Sequence, residues 1–99
     1  MRTAFSGFNG NTIRLTDERW QHIIEEHPEL QGKDRDVLHT IEKPEKIYEG
    51  KDGELLATRE IEPKKLIVVV YREALPDGFI ITAFFTRQIR SFDKRKQIW

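Results

Sequence analysis

The chain has 99 residues, of which 37% are hydrophobic, so we expect one domain with a small core. It contains no cysteine, which excludes a disulfide framework and thiolate metal sites and is compatible with a reducing compartment. No stretch suits a signal peptide or approaches the roughly 20 apolar residues of a membrane span. We therefore expect a cytoplasmic protein with no membrane partner.

Charge is balanced overall but unevenly distributed. There are 17 basic and 17 acidic residues, and the basic excess lies in the C-terminal half. The last 14 residues contain five basic side chains and one acidic side chain; the basic ones are Arg87, Arg90, Lys94, Arg95 and Lys96. A solvated segment explains this cluster as well as a local phosphate-binding edge does. The zero net charge argues against a general, sequence-blind coat for nucleic acid.

Two helices are predicted in the N-terminal half, after a short extended lead-in at Ile13–Leu15. The first begins after Thr16, a good N-cap, and ends near His27, because a residue before proline disfavours the helical conformation. The second runs from about Lys33 to Glu42, and Pro44 ends it. Their inward-facing residues recur at helical spacing: Trp20, Ile23 and Ile24 in the first helix, and Val37, Leu38 and Ile41 in the second.

Four strands are predicted in the C-terminal half, beginning at Ile47 and then spanning 55–61, 66–71 and 79–86. The run 66–71 is continuously apolar, which is typical of a central strand covered on both faces. The connections are short and favour an antiparallel arrangement. The sequence therefore predicts an α+β domain over residues 1–99, in which two N-terminal helices pack on a four-stranded antiparallel β-meander.

The alternation of the last strand predicts which side chains face the helices. The apolar set should pack on the helices: Phe79, Ile81, Ala83 and Phe85. The mixed set should face a cleft or solvent: Ile80, Thr82, Phe84 and Thr86. We expect function on this second face, which carries Thr82 and Thr86 and for which Arg59 of the second strand is a candidate.

Several kinds of site are disfavoured by the sequence. His22 and His27 are five residues apart, whereas a helical zinc pair needs a spacing of four, and His39 is distant and expected at the surface. There is no glycine-rich phosphate loop, and the two serines lie outside any nucleophile-elbow motif. We therefore predict no metal site, no cofactor, and no serine or cysteine nucleophile.

The remaining candidates suit metal-free cleavage of RNA, which needs a base, an acid and a cation to stabilise the phosphorane. His27 lies at a helix C-terminus, where it can exchange protons or simply cap the helix. Arg59 can stabilise the phosphorane or pair with a neighbouring glutamate. Tyr71 and Thr82 can bond to phosphate or donate a proton, or they can be ordinary core and strand residues.

The order of LTDERWQHIIEEHPEL, ATREI, LIVVVYRE and FIITAFFT, followed by a basic stretch ending in IW, resembles the phage-associated branch of the Barnase–EndoU–colicin–RelE nuclease superfamily. The resemblance extends from about Ile13 to Trp99. It implies two helices on a four-stranded antiparallel sheet and metal-independent ribonuclease activity, as in phage-encoded domains and toxin–antitoxin components. Carried over by position, His27, Arg59, Tyr71 and Thr82 become the candidate catalytic residues.

The leading hypothesis is a ribonuclease-like domain, a toxin or mobile-element product that cleaves RNA and has an antitoxin or immunity protein as partner. The basic residues of the tail are then its nucleic-acid-binding residues. The alternative is a non-catalytic module of the same fold that binds RNA or protein. A third interpretation is an oligomer or antitoxin complex in which a partner covers an exposed strand edge. The oligomeric state is left open.

Overall fold

Six strands of one mixed sheet carry the two helices, in a computed structural model that describes residues 1–99. The elements in chain order are β1 (Arg2–Phe5), β2 (Thr12–Leu15), α1 (Asp17–Glu26), α2 (Asp34–Glu42), β3 (Lys46–Glu49), β4 (Leu55–Glu62), β5 (Lys65–Arg72) and β6 (Gly78–Thr86). Short 3-10 turns lie at Pro28–Leu30 and Ile89–Phe92. The spatial order is β1-β2-β6-β5-β4-β3, and every neighbouring pair is antiparallel except β2 and β6, which are parallel.

The predicted four-stranded antiparallel meander is wrong, although the α+β class and the two helices agree with the sequence. Strands β3 to β6 do form a meander, but the N-terminal residues add two further strands. Strands β1 and β2 form a hairpin, and Gly10 in their connection has a φ of +77°, a conformation that glycine adopts without steric cost. The parallel pairing of β2 with β6 involves only Ile13 with Gly78 and Arg14 with Phe79.

The helix boundaries agree closely with the sequence patterns. The Thr16 hydroxyl accepts a hydrogen bond from the Arg19 amide at 3.1 Å, which caps α1. The helix ends at His27, whose amide makes the last helical bond, to the Ile23 carbonyl, because the next residue, Pro28, has no amide to donate. Helix α2 starts one residue later than predicted. Neither helix is long and apolar enough to cross a membrane.

The core lies between the helices and one face of the sheet, and a smaller cluster lies on the opposite face, here called the outer face. The outer cluster contains four buried residues: Tyr48, Leu56, Val68 and Phe92. Strand β5 lies inside the sheet and is covered on both sides. Ile67 and Val69 pack under the helices and Val68 packs in the outer cluster, and none of the three is exposed to solvent. The prediction of a central strand is therefore confirmed.

A β-bulge in β6 changes which of its side chains face the helices. Tyr71 pairs with Ile80 and Val70 pairs with Thr82, so that Ile81 is the extra residue. The alternation predicted from the sequence is therefore wrong before the bulge. It holds after the bulge, where Thr82 lies on the outer face.

Burial of the β6 side chains shows the same change of face. Ile80 is buried under the helices at 2% exposure, whereas Phe79 is 41% exposed. After the bulge, Ala83 and Phe85 face the helical core as predicted, and Phe84 packs against the outer cluster.

The C-terminal segment returns to the sheet and covers the free edge of β3. The Ile98 amide donates to the Ile47 carbonyl at 2.8 Å, and the Glu49 amide donates to the Lys96 carbonyl at 2.9 Å. The covered edge is thereby protected from pairing with another chain.

Candidate nucleic-acid interface

The four residues predicted to be catalytic do not converge on one point. Tyr71 and Arg59 both face the helices, but Tyr71 pairs with Leu55, four residues along β4 from Arg59, which is about 13 Å at strand spacing. Thr82 lies on the outer face of β6. His27 lies at the end of α1, beside Phe84 of β6.

Tyr71 is part of the core rather than of a surface site. Its side chain is fully buried, and its hydroxyl has no partner at hydrogen-bonding geometry. Burial, with a smaller contribution from the negative charge of Glu73, raises the pKa of Tyr71 to about 12, which the nearby Ser6 hydroxyl opposes. The phenol is therefore protonated at neutral pH and inaccessible to an RNA strand.

Arg59 faces the helices and does not share the outer face with Thr82, for which it was a candidate. The register pairs Arg59 with Ile67, whose side chain is in the helical core, and leaves Thr58 on the outer face. The guanidinium Nη1 donates to the Lys43 carbonyl at 2.6 Å, at the C-terminal end of α2. Arg59 therefore links α2 to β4 and lines a cavity on the helical side of the sheet.

Thr82 lies in the part of β6 that β2 does not pair, here called the β6 strip, and His27 lies beside it; both residues are half-buried. The imidazole of His27 is one-third exposed, and its Nδ1 lies 3.7 Å from a carboxylate oxygen of Glu29. Its ring centroid is 5.9 Å from that of Phe84. Thr82 lies two residues before Phe84 and on the same face, at a distance of about 7 Å along the strand. Two of the four predicted catalytic residues thus lie at the β6 strip.

The basic residues of the C-terminal segment line two adjoining depressions. One has a volume of about 640 Å³ and is lined by Lys64, Arg87 and Arg90. The other has a volume of about 360 Å³ and is lined by Lys51 together with the three cations at positions 94–96. Ser91 lines both depressions. We call these seven cations the C-terminal basic surface: Lys51, Lys64, Arg87, Arg90, Lys94, Arg95 and Lys96.

Sequence reasoning identified five of these cations and missed Lys51 and Lys64. Each of the two lies in a tight connection between strands, Lys51 before β4 and Lys64 between β4 and β5. The return of the C-terminal segment to β3 brings Lys51 next to the basic tail, and the pairing of Leu66 with Thr86 brings Lys64 next to it. The sequence shows only that each predicted turn contains a lysine. A lysine in a turn does not indicate that the turn lies next to the basic tail.

Most of the cations on the C-terminal basic surface form no ion pair, although Glu49 also lines the depression that contains Lys51. Arg87 forms an ion pair with Glu62, with Nη2 and Oε2 3.3 Å apart, and the other six cations form no salt bridge. A hydrogen bond from the Asp52 amide lowers the pKa of the Glu54 carboxyl, and the nearby charge of Arg95 adds a smaller effect. Arg95 therefore has a carboxylate in its surroundings, although it forms no direct ion pair.

The polypeptide that carries these cations is anchored at both ends of its 3-10 turn. The Gln88 amide donates to the Thr86 hydroxyl at 3.1 Å, and the Ser91 hydroxyl donates to the Gln88 carbonyl at 2.6 Å. At the other end, the buried ring of Phe92 packs against Tyr48 with ring centroids 4.9 Å apart. The cations thus project from a fixed backbone, which reduces the entropy lost when they bind a ligand.

No group of three or more histidine, aspartate or glutamate side chains is arranged to hold a metal ion. Comparison with known protein families, with curated proteins and with solved structures gives no match. The resemblance to the nuclease superfamily stays a prediction.

Proposed function

We propose that this protein binds single-stranded RNA through the C-terminal basic surface and holds the strand without needing to cleave it. The observation that carries the proposal is the set of six cations without ion pairs in two adjoining depressions. Like charges held close together repel each other. An RNA strand relieves this repulsion, because it presents successive phosphates along a line.

The balance of charge in the whole chain makes this attraction local. The formal net charge is zero, so the rest of the molecule is acidic relative to the C-terminal basic surface and repels phosphate. RNA is therefore directed to one side of the protein. The preference for RNA over DNA rests on the resemblance to a ribonuclease superfamily.

Binding without turnover is favoured over the ribonuclease interpretation by the dispersion of the catalytic candidates. Tyr71 is buried, and Arg59 is on the opposite face of the sheet from Thr82 and is bonded to the end of α2. Metal-free cleavage needs its base, acid and cation near the same phosphate. Binding of an RNA strand to the C-terminal basic surface does not require a base, an acid and a cation at one phosphate.

The first prediction concerns the charge of this surface. Replacing Arg90, Lys94 and Lys96 together with glutamine should weaken binding of a labelled single-stranded RNA about 10- to 100-fold at low salt, because each cation neutralises a phosphate. The slope of the logarithm of the binding constant against the logarithm of salt concentration should fall by about 2, at about 0.7 for each lost phosphate contact. Fluorescence anisotropy over a series of salt concentrations measures both quantities.

A charge-matched variant controls for the loss of three positive charges. Arg19, Arg35 and Lys43 are exposed on or at the ends of the helices, and their side chains form no ion pair. Replacing these three with glutamine should leave the affinity and the salt dependence nearly unchanged. Equal losses in the two triple variants, or no binding by the unaltered protein at low salt, would contradict the proposal.

Ribonuclease activity is a second candidate function, favoured by the position of His27 and Thr82 at the β6 strip. If the strip is catalytic, RNA incubated with the protein and a metal chelator yields fragments with 2′,3′-cyclic phosphate ends. The second prediction is that His27→Ala abolishes any such cleavage without weakening RNA binding, because His27 is outside the C-terminal basic surface. Cleavage at an undiminished rate by His27→Ala would exclude the strip as the active site.

A further inference from the structure

The C-terminal basic surface extends along the whole length of β4. Lys51 lies in the turn before this strand, and Lys64 lies in the turn after it. The eight residues of β4 span about 24 Å at the rise of an antiparallel strand. The two lysines therefore mark opposite ends of an elongated surface.

The C-terminal segment connects these two ends and carries the other five cations. Arg87 follows the part of β6 that pairs with the start of β5, and it lines the same depression as Lys64. At the other end, Lys96 lines the same depression as Lys51. Ser91 lines both depressions, so that they meet near the middle of the segment. The cations are thus distributed along a line and not gathered at one point.

The linings of the two depressions contain more positive than negative charge. The smaller depression is lined by four cations and one carboxylate, that of Glu49. The larger one is lined by three cations and no carboxylate, although Glu62, outside the lining, pairs with Arg87. Asp93 is the one acidic residue among positions 87–96, and it lines neither depression. Both ends of the line therefore attract phosphate.

The surface offers charges to a bound strand but no flat ring to its bases. No aromatic side chain lines either depression, and the ring of Phe92 is buried in the outer cluster. Proteins that bind single strands commonly combine a positive groove with aromatic rings on which bases stack. Only the first of these two parts is present in the depressions, so the phosphates supply most of the attraction.

We propose that this surface binds one tract of about four to seven nucleotides through its phosphates, whatever the base sequence. The inference rests on the proposed function and adds to it the length and the sequence independence of the bound RNA. A stacked strand advances about 3.4 Å for each phosphate, so that about seven phosphates fit along roughly 24 Å, and about half as many fit when the strand is extended. The seven cations of the surface match the upper limit.

The third prediction tests the length of the tract with uridine oligonucleotides of 2 to 12 nucleotides, by fluorescence anisotropy at several salt concentrations. The affinity and the salt slope should rise with each added phosphate, the slope by about 0.7 for each contact. Both should level off between about four and seven nucleotides, and longer strands should gain at most about threefold, because they only add alternative positions for the tract. Cytidine and adenosine strands of the same length should bind within about fivefold of uridine strands, because their phosphates are the same.

Variants at the two ends of β4 test the path of the strand. Lys51→Gln and Lys64→Gln each alter an exposed turn residue, and each should lower the salt slope for an 8-nucleotide strand by about 0.7. The double variant should also reach its plateau of affinity with a shorter strand. Arg19→Gln removes an exposed cation of α1 that forms no ion pair, and it should leave the length dependence unchanged.

Backbone amide resonances locate the strand independently of affinity. The 8-nucleotide strand should shift resonances of both turns, residues 50–53 and 64–65, in two-dimensional NMR spectra. Three results would overturn the proposal while leaving RNA binding in place: affinity that rises steeply beyond seven nucleotides, a preference of more than tenfold for one base, and shifts confined to one of the two turns. Absence of binding by strands of every length would instead overturn the proposed function, and this inference with it.

Discussion

At the scale of single residues, the environment of Tyr71 determines what this side chain contributes. A phenol inside a strand of the core normally finds a partner for its hydroxyl, but the Tyr71 hydroxyl has none, and one carboxylate oxygen of Glu73 is also buried without a partner. The other Glu73 oxygen accepts from the Asn11 amide group at 3.1 Å and from Asn9. The site therefore keeps Tyr71 neutral and has a measurable consequence for stability at high pH.

The fourth prediction is that the protein loses stability above about pH 10 because of Tyr71. The folded-state pKa is raised to about 12 from the ordinary value of 10.0, so the folded state holds the proton more tightly than the unfolded state. The contribution is fully present below pH 10 and is lost as the pH rises towards 12. The free energy of unfolding should fall by about 2 to 3 kcal/mol through this group, at 1.36 kcal/mol for each pKa unit.

Tyr71→Phe separates this effect from the titration of lysines in the same pH range. The variant should unfold with nearly the same free energy at pH 7, because it removes a hydroxyl that has no partner. Between pH 10 and 12 it should lose less stability than the unaltered protein, as measured by urea denaturation at each pH. Parallel curves for the two proteins across this range would show that Tyr71 does not cause the loss.

At the scale of secondary-structure elements, sequence patterns correctly predicted those elements whose position depends on interactions between residues close together in the chain. The helical spacing of apolar residues and the Thr16 cap located α1, and β-branched residues located β5. The β6 bulge was not predictable, because it depends on how β6 meets Tyr71 of the neighbouring strand. Strand β1 was missed because it is four residues long and only Ala4 is buried, which leaves little alternation to recognise.

The C-terminal basic surface was also predictable only in part. The basic tail is visible in the sequence, but its shape depends on the contact of Phe92 with Tyr48 and on the pairing of Lys96–Trp99 with β3. Both contacts join residues more than forty positions apart in the chain. The face of Arg59 could not be predicted for the same reason, because the face depends on strand register and not on the identity of the residue.

At the scale of the whole molecule, the two edges of the sheet differ. The outer edge of β1 is unpaired, and Phe5 at its end is 64% exposed. The outer edge of β3 is covered by the chain itself, through bonds that join Ile47 to Ile98 and Trp99. An open edge is a template for pairing with another chain. The C-terminal segment therefore both presents the C-terminal basic surface and closes one of the two edges.

The fifth prediction is that deleting residues 97–99 opens the β3 edge. The deletion removes three backbone hydrogen bonds to Ile47 and the packing of Ile98 against the core, and it should lower the free energy of unfolding by about 1 to 3 kcal/mol. Sedimentation velocity should show more association for the truncated protein than for the unaltered chain, and the difference should increase with protein concentration. RNA affinity of the monomer should change little, because every cation of the C-terminal basic surface is retained and the contacts Phe92–Tyr48 and Glu49–Lys96 still hold the segment. A truncated protein that stays monomeric at all concentrations and keeps its stability would show that the segment does not protect this edge.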